Sequence, residues 1–140
     1  MRKRNQGFTL IEVLTVVIII GILFSVVLLN LEGTTDDARR TAALRDVKTL
    51  EQALDIYKLQ NGFFPSTDQG LQALVSIPSG FPEPRNWQTG GYIKQLPKDP
   101  WGNDYQYLHP GANGTVDIYS MGADGRLGGE GINADIGNWN

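Results

Sequence analysis

From Val13 to Leu31 nineteen consecutive residues carry no charge. As a helix rising about 1.5 Å per residue, that run spans roughly 28 Å, close to the hydrocarbon thickness of a bilayer. Arg2, Lys3 and Arg4 precede it. By the positive-inside rule they stay on the cytoplasmic side, which puts everything after the run across the membrane. A cleaved secretory signal fits poorly. The run is long, and Leu28-Leu29-Asn30-Leu31 is no substitute for a small-x-small cleavage site. A plain anchor fits poorly for another reason, which is Glu12.

Glu12 stands near the start of the apolar segment, with no cation within two helical turns after it. A carboxylate at bilayer depth costs about 2.5 to 3.5 kcal/mol on insertion scales, so it usually has a partner. One reading has Glu12 reach back to the interface. In the other, a cut after Gly7 leaves Phe8 with a free α-amine one turn away, a partner for Glu12 of the same or a neighbouring chain. The residues around it, Gly7-Phe8-Thr9-Leu10-Ile11-Glu12 behind a short basic leader, resemble the class III signal of type IV pilins and pseudopilins. The resemblance implies that prepilin peptidase removes residues 1–7, cutting between Gly7 and Phe8 and methylating the Phe8 amine. It also implies that Glu12 neutralises a neighbour's N-terminus during filament assembly.

Composition narrows what the rest can be. At 140 residues the chain holds one modest domain, and many of its apolar residues sit in that single stretch, so the remaining core is small. A formal net charge of −3 gives no polybasic face and argues against nucleic acid as a partner. There is no cysteine, which excludes disulfide frameworks, thiolate metal sites and Cys nucleophiles. The only histidine, His109, precedes Pro110 in a turn with no Ser/Asp constellation near it in sequence, so an enzyme is not expected.

Gly33, Thr34 and Thr35 followed by Asp36 and Asp37 either cap a fresh helix or lie inside one that runs through. Ala43, Val47, Leu50, Leu54 and Tyr57 then recur at steps of four and three, which predicts an amphipathic helix packing one stripe on a small domain. Asn61-Gly62 supplies its stop. Ser66 to Val75 reads as a capped short helix. Tyr105–Leu108 and Thr115–Ser120 read as two strands joined by the loop 109–114. The proline common late in the apolar half of pilin-like helices is missing, so no proline kink is expected.

Residues 120–136 form a glycine-rich loop carrying Asp124, Glu130, Asn133 and Asp135. Oxygen-bearing side chains on a backbone free to turn its carbonyls inward suit Ca²⁺, which takes six to eight oxygens at about 2.3–2.6 Å. Asp, Asn and Gly are also ordinary turn residues, and on spacing alone a solvated turn is the simpler reading. A long loop with little apolar content nonetheless needs a restraint, which a metal would supply.

Ordered motifs extend the resemblance along the chain. Tyr57-Lys58-Leu59-Gln60-Asn61-Gly62, Gln69-Gly70-Leu71-Gln72-Ala73-Leu74, Gly91-Tyr92-Ile93, Leu96 to Gly102, Asp117-Ile118-Tyr119-Ser120 and Ala134 to Trp139 resemble the major pseudopilins of type II secretion systems. This implies an α+β pilin-like fold. A long N-terminal helix (8–31 in lipid or filament core, 32–60 amphipathic) packs its C-terminal half on a small three-stranded antiparallel sheet within the domain 61–140. The resemblance implies Ca²⁺ in loop 120–136, held by Asp124 and Asp135 with the carbonyls of Met121 and Arg126, and with Glu130 and Asn133 less fixed. It further implies an inner-membrane subunit with a periplasmic domain in a Gram-negative bacterium. Such a subunit rests in membrane lipid and then polymerises into a filament that pushes folded exoproteins toward a secretin. The implied partners are copies of itself, minor pseudopilins, an inner-membrane platform protein and prepilin peptidase. A subunit of another type IV pilus-like filament is the nearest alternative, although such subunits usually close their C-terminal loop with a disulfide. A calcium-dependent sugar-binding module using Trp87, Trp101 and Trp139 is a more distant one.

Overall fold

The computed structural model describes residues 8–140, and for residues 26–34 the backbone alone. It divides into two compact units, one ending at Asp37 and one running from Ala38 to Asn140. Helix α1 (Leu10–Asn61) is continuous over 52 residues, so the Gly33-Thr34-Thr35 segment lies inside a helix that runs through. A glycine costs a helix only about 1 kcal/mol, a penalty that a helix of this length absorbs.

In the first unit every described side chain from Phe8 to Ser25 is exposed, and those from Val13 to Phe24 are almost all large and aliphatic or aromatic. This part of α1 is apolar on all sides, the pattern of a helix that is buried in use. Among the described residues no helix is long and apolar enough to cross a membrane. The described side chains of the apolar run stop at Ser25, short of the roughly 20 residues a span needs.

In the second unit α1 buries the predicted stripe: Ala43, Val47, Leu50, Leu54 and Tyr57, joined by Ala53. The helix ends where Gly62 takes φ +86° and its N–H donates to the Lys58 carbonyl at 2.7 Å. That left-handed position is why a glycine follows the last helical residue. The buried Asn61 side chain then ties three segments together. Its amide donates to the Tyr57 carbonyl and to the Tyr92 hydroxyl (both 2.9 Å), and its oxygen accepts the Asn86 N–H (2.9 Å).

Three antiparallel strands pack on this stripe: β1 (Gln106–Leu108), β2 (Asp117–Ser120) and β3 (Ile136–Gly137), in the order β1-β2-β3. Tyr107 pairs with Ile118, and Ser120 with Ile136. The strands are shorter than the sequence suggests because the β1–β2 loop folds back on Asp117. The buried Asp117 carboxylate accepts the N–H groups of Ala112 (2.7 Å), Asn113 (3.0 Å) and Gly114 (3.1 Å), which holds the chain out of the ladder until β2 begins. Ser66 to Val75 also differs from expectation. Ser66 and Gln69 exchange the anticipated capping bonds at 3.0 and 3.2 Å. Gly70 at φ +59° then prevents an α-helix from continuing, and only a 3-10 turn, Leu71–Leu74, follows.

Candidate assembly and metal sites

At the start of α1 the sequence Thr9-x-x-Glu12 forms a reciprocal cap. The Thr9 hydroxyl accepts the Glu12 N–H at 3.4 Å. The Glu12 carboxylate in turn accepts the Thr9 N–H at 3.4 Å and the Thr9 hydroxyl at 3.5 Å. The first helical N–H groups lack intrahelical partners, and a Thr followed three residues later by Glu satisfies two of them. Glu12 is thus held at the positive end of the helix dipole, next to Phe8. Phe8 is 84% exposed and Leu10 is 90% exposed. Gly7, on the other side of the expected cut, lies outside the described residues.

The second site is the loop between β2 and β3. Its base is fixed by the core. Asp99, only 4% exposed, accepts the N–H groups of Trp101 (3.0 Å) and Asn103 (2.7 Å) on one oxygen and the Ser120 hydroxyl (2.6 Å) on the other. The Ser120 oxygen accepts the Gly122 N–H at 3.1 Å. The loop closes where the Ala123 N–H donates to the Ile132 carbonyl at 3.0 Å. Gly122 and Gly129 both lie against the Asn133 backbone: an added Cβ would stand 2.8 and 2.5 Å from its carbonyl oxygen. Both glycines have positive φ, +65° and +88°. Close approach and left-handed backbone together require glycine at these two positions.

This folding brings the segments carrying the sequence-predicted ligands together. Exposed Asp124 accepts the Arg126 N–H at 3.1 Å. Asp135 accepts the Gly128 N–H at 2.9 Å on Oδ2, while its Oδ1 is buried and has no partner. Met121 is half-buried where the chain leaves β2, and Arg126 is exposed. Asn133 is half-buried, whereas Glu130 is exposed and presents its carbonyl to the Asn133 N–H at 3.2 Å. Beneath the loop, burial first, and then the charges of Asp135 and Asp117, hold the Tyr119 phenol above its ordinary pKa. Among the described residues no three His, Cys, Asp or Glu side chains gather as a metal cluster. A cation here would therefore draw on backbone oxygens, a donor set that suits a hard ion and not zinc. A buried carboxylate oxygen without a donor is costly. Asp135 Oδ1 is the atom that fits such an ion.

Sequence reading assigned Asp99, Asn103 and Ser120 no part in supporting the loop; Asp99 and Ser120 lie within the Leu96–Gly102 and Asp117–Ser120 motifs, but nothing in the sequence links the two. Of the tryptophans, Trp87 donates its indole N–H to the Ala73 carbonyl at 2.9 Å and stacks edge-on against Tyr92, while Trp139 lies against Tyr119 and over Gly137. His109 is a packing residue: its ring lies edge-on to Phe64 and bonds the Pro65 carbonyl at 3.0 Å.

Comparison with known proteins follows the same division. The family described as Type II secretion system (T2SS), protein G, matches residues 30–139, and the prokaryotic N-terminal methylation motif matches residues 2–28. The type II secretion system core protein G of Vibrio cholerae is 61% identical over 100% of this chain and 94% of its own length. That of Pseudomonas aeruginosa is 54% identical over 99% of this chain and 97% of its own. The crystal structure of the major pseudopilin from the type 2 secretion system of enterohaemorrhagic Escherichia coli superposes with a TM-score of 0.71 at 51% identity. It covers 79% of this chain and 94% of that one. The chain belongs to the type II secretion system protein G family.

Proposed function

We propose that this chain is the major structural subunit of a type II secretion pseudopilus, a periplasmic helical filament that moves folded exoproteins toward the outer-membrane secretin. The observation that carries the reading is the start of α1: from Leu10 to Ser25 the described side chains are exposed and almost all apolar, with one carboxylate, Glu12, at the capped start. Such a surface needs a cover. Inner-membrane lipid covers it before assembly, with residues 1–4 cytoplasmic and the second unit periplasmic. The same faces of neighbouring subunits cover it afterwards. Prepilin peptidase cuts between Gly7 and Phe8 and methylates the new amine. Glu12, released from Thr9, then offsets that positive charge at the filament axis, where an unpaired charge would be costly. An inner-membrane platform protein and minor pseudopilins are the remaining partners, and the subunit itself performs no catalysis. The names of the relatives favour this over a subunit of another type IV pilus-like filament.

In this reading the 120–136 loop holds Ca²⁺ through Asp124 and Asp135 and the carbonyls of Met121 and Arg126, with Glu130 and Asn133 as further oxygens near by. When bound, the ion supplies a positive charge to the unpartnered Asp135 oxygen and restrains a loop that has little apolar content.

Because the chain has no cysteine, introduced pairs report unambiguously. Leu10→Cys with Leu14→Cys should crosslink between subunits into a ladder in cells making the whole secretion system. Monomers alone in such cells would overturn the filament reading.

A further inference from the structure

Apart from Ile56 and Leu59 on α1 and Trp139 after β3, the exposed large apolar side chains among the described residues of the second unit lie on two loops. Ile77 and Phe81 are 67% and 90% exposed on the 76–85 loop. Leu127 and Ile132 are 72% and 47% exposed on the 120–136 loop. Phe81 is not on a slack segment. The Gln69 amide lies within bonding distance of the carbonyls of Ser79, Gly80 and Pro82, at 3.4, 3.2 and 3.0 Å, so one side chain holds the backbone on both sides of Phe81. Together with half-buried Phe63, Phe81 lines a groove of about 630 Å³ walled by Pro82 and Pro84 and rimmed by Glu83 and Arg85. An exposed aromatic on a held backbone beside an open groove of mixed polarity offers a contact surface.

The two patches are tied to different strands of one small sheet. The segment that carries Phe63 runs beside β1: the Tyr107 hydroxyl donates to the Pro65 carbonyl at 2.9 Å, and the Thr67 hydroxyl accepts the His109 N–H at 2.9 Å. The 120–136 loop leads into β3, the other edge strand. Their charges are complementary. Leu127 lies beside Arg126 and near Glu130, and the groove rim offers Glu83 and Arg85. Among the described residues none of these four charged groups forms an ion pair within the chain. Two different, complementary patches are what a head-to-tail contact requires; when its rotation does not close, that contact gives an open helical filament.

We infer that the 126–132 loop of one copy seats Leu127 in the Phe63–Phe81 groove of the next, with Arg126 and Glu130 against Glu83 and Arg85, as a second interface of the filament outside α1. This rests on the filament reading above. It would also make ordering of the 120–136 loop a condition for one subunit to receive the next.

The test uses full-length chains in cells making the whole secretion system, with a short bismaleimide, because a disulfide demands closer Cα atoms than a groove contact guarantees. Phe81→Cys with Leu127→Cys should give a ladder of dimers, trimers and higher species, and neither single variant should give one. Both residues are too exposed for their replacement to prevent folding. Arg85→Glu should reduce the ladder about three- to tenfold and Glu130→Arg in the same chain should restore it, as expected for a charge pair at an interface rim. A Leu10/Leu14 ladder without a Phe81/Leu127 ladder would overturn this inference and leave the filament standing. Dimers from Phe81→Cys alone, or a product with a different protein, would overturn it as well. Loss of both ladders would remove the filament reading, and this interface with it.

Discussion

The Asp99 carboxylate accepts the Ser120 hydroxyl at 2.6 Å, and the Ser120 oxygen accepts the Gly122 N–H at 3.1 Å. A buried acid in the 97–104 turn thereby fixes the point at which the 120–136 loop leaves the sheet. Asp99→Ala would leave one buried and two half-buried donors without an acceptor and should cost about 3 kcal/mol. Ser120→Ala should cost about 1–3 kcal/mol. The two should be non-additive in a double-mutant cycle read by urea unfolding, since they share one bond.

Gly91 illustrates a backbone constraint of the same unit. At φ +83° a Cβ there would stand 2.9 Å from the Leu74 carbonyl oxygen. That oxygen already accepts the N–H groups of Tyr92 at 2.7 Å and Ile93 at 3.2 Å. Gly91→Ala should destabilise by about 2 kcal/mol or more, through strain and loss of these bonds. Gly90→Ala, with a similar φ but open space around it, should cost less in the same urea series.

Stability should fall in alkali. The Tyr105 phenol is held above its ordinary pKa by burial first and then by its 2.9 Å bond to the Asp46 carboxylate; Tyr107 is raised chiefly by burial. Below the unfolded value near 10, both states keep the proton and the contribution is fully present. Above it the unfolded chain ionises while the folded one does not, so unfolding is favoured by up to about 1.4 kcal/mol per pH unit per tyrosine. Urea midpoints between about pH 9 and 11.5 should therefore drop. The drop should be shallower in Tyr105→Phe and Tyr107→Phe.

The cap at the start of α1 predicts separable effects. Thr9→Ala removes the hydroxyl that caps the helix and should weaken its first turn by about 1 kcal/mol. Glu12→Ala should abolish filament formation in cells, seen by electron microscopy of sheared fibres. Neither change should shift the melt of the unit from Ala38 onward.

Much of this was legible in the chain itself, for identifiable reasons. The Ala43-to-Tyr57 stripe announced the packed half of α1 because side chains three and four residues apart share a helix face. The Asn61-Gly62 stop was readable because φ +86° needs glycine. Asp124 and Asp135 stood out as carboxylates on a glycine-rich loop. The late end of the β1–β2 loop was hidden, because the Asp117 bonds that shorten β2 come from residues with no pattern of their own. The 3-10 turn at Leu71–Leu74 hung on the conformation of one residue, Gly70. Asp99 and Ser120 were hidden because their link spans 21 residues and depends on the tertiary fold.

That the 120–136 loop is a calcium site on which the domain depends is tested most directly by a melt of the unit from Ala38 onward, first in millimolar Ca²⁺ and then in excess chelator. At about a hundred times its dissociation constant, one ion stabilises by roughly 2.7 kcal/mol, a shift of several degrees for a domain this small. A calcium-dependent domain should show that shift, and lose it in Asp135→Ala and Asp124→Ala. An unchanged midpoint in chelator, with both variants melting like the parent, would contradict it and leave the loop a solvated turn.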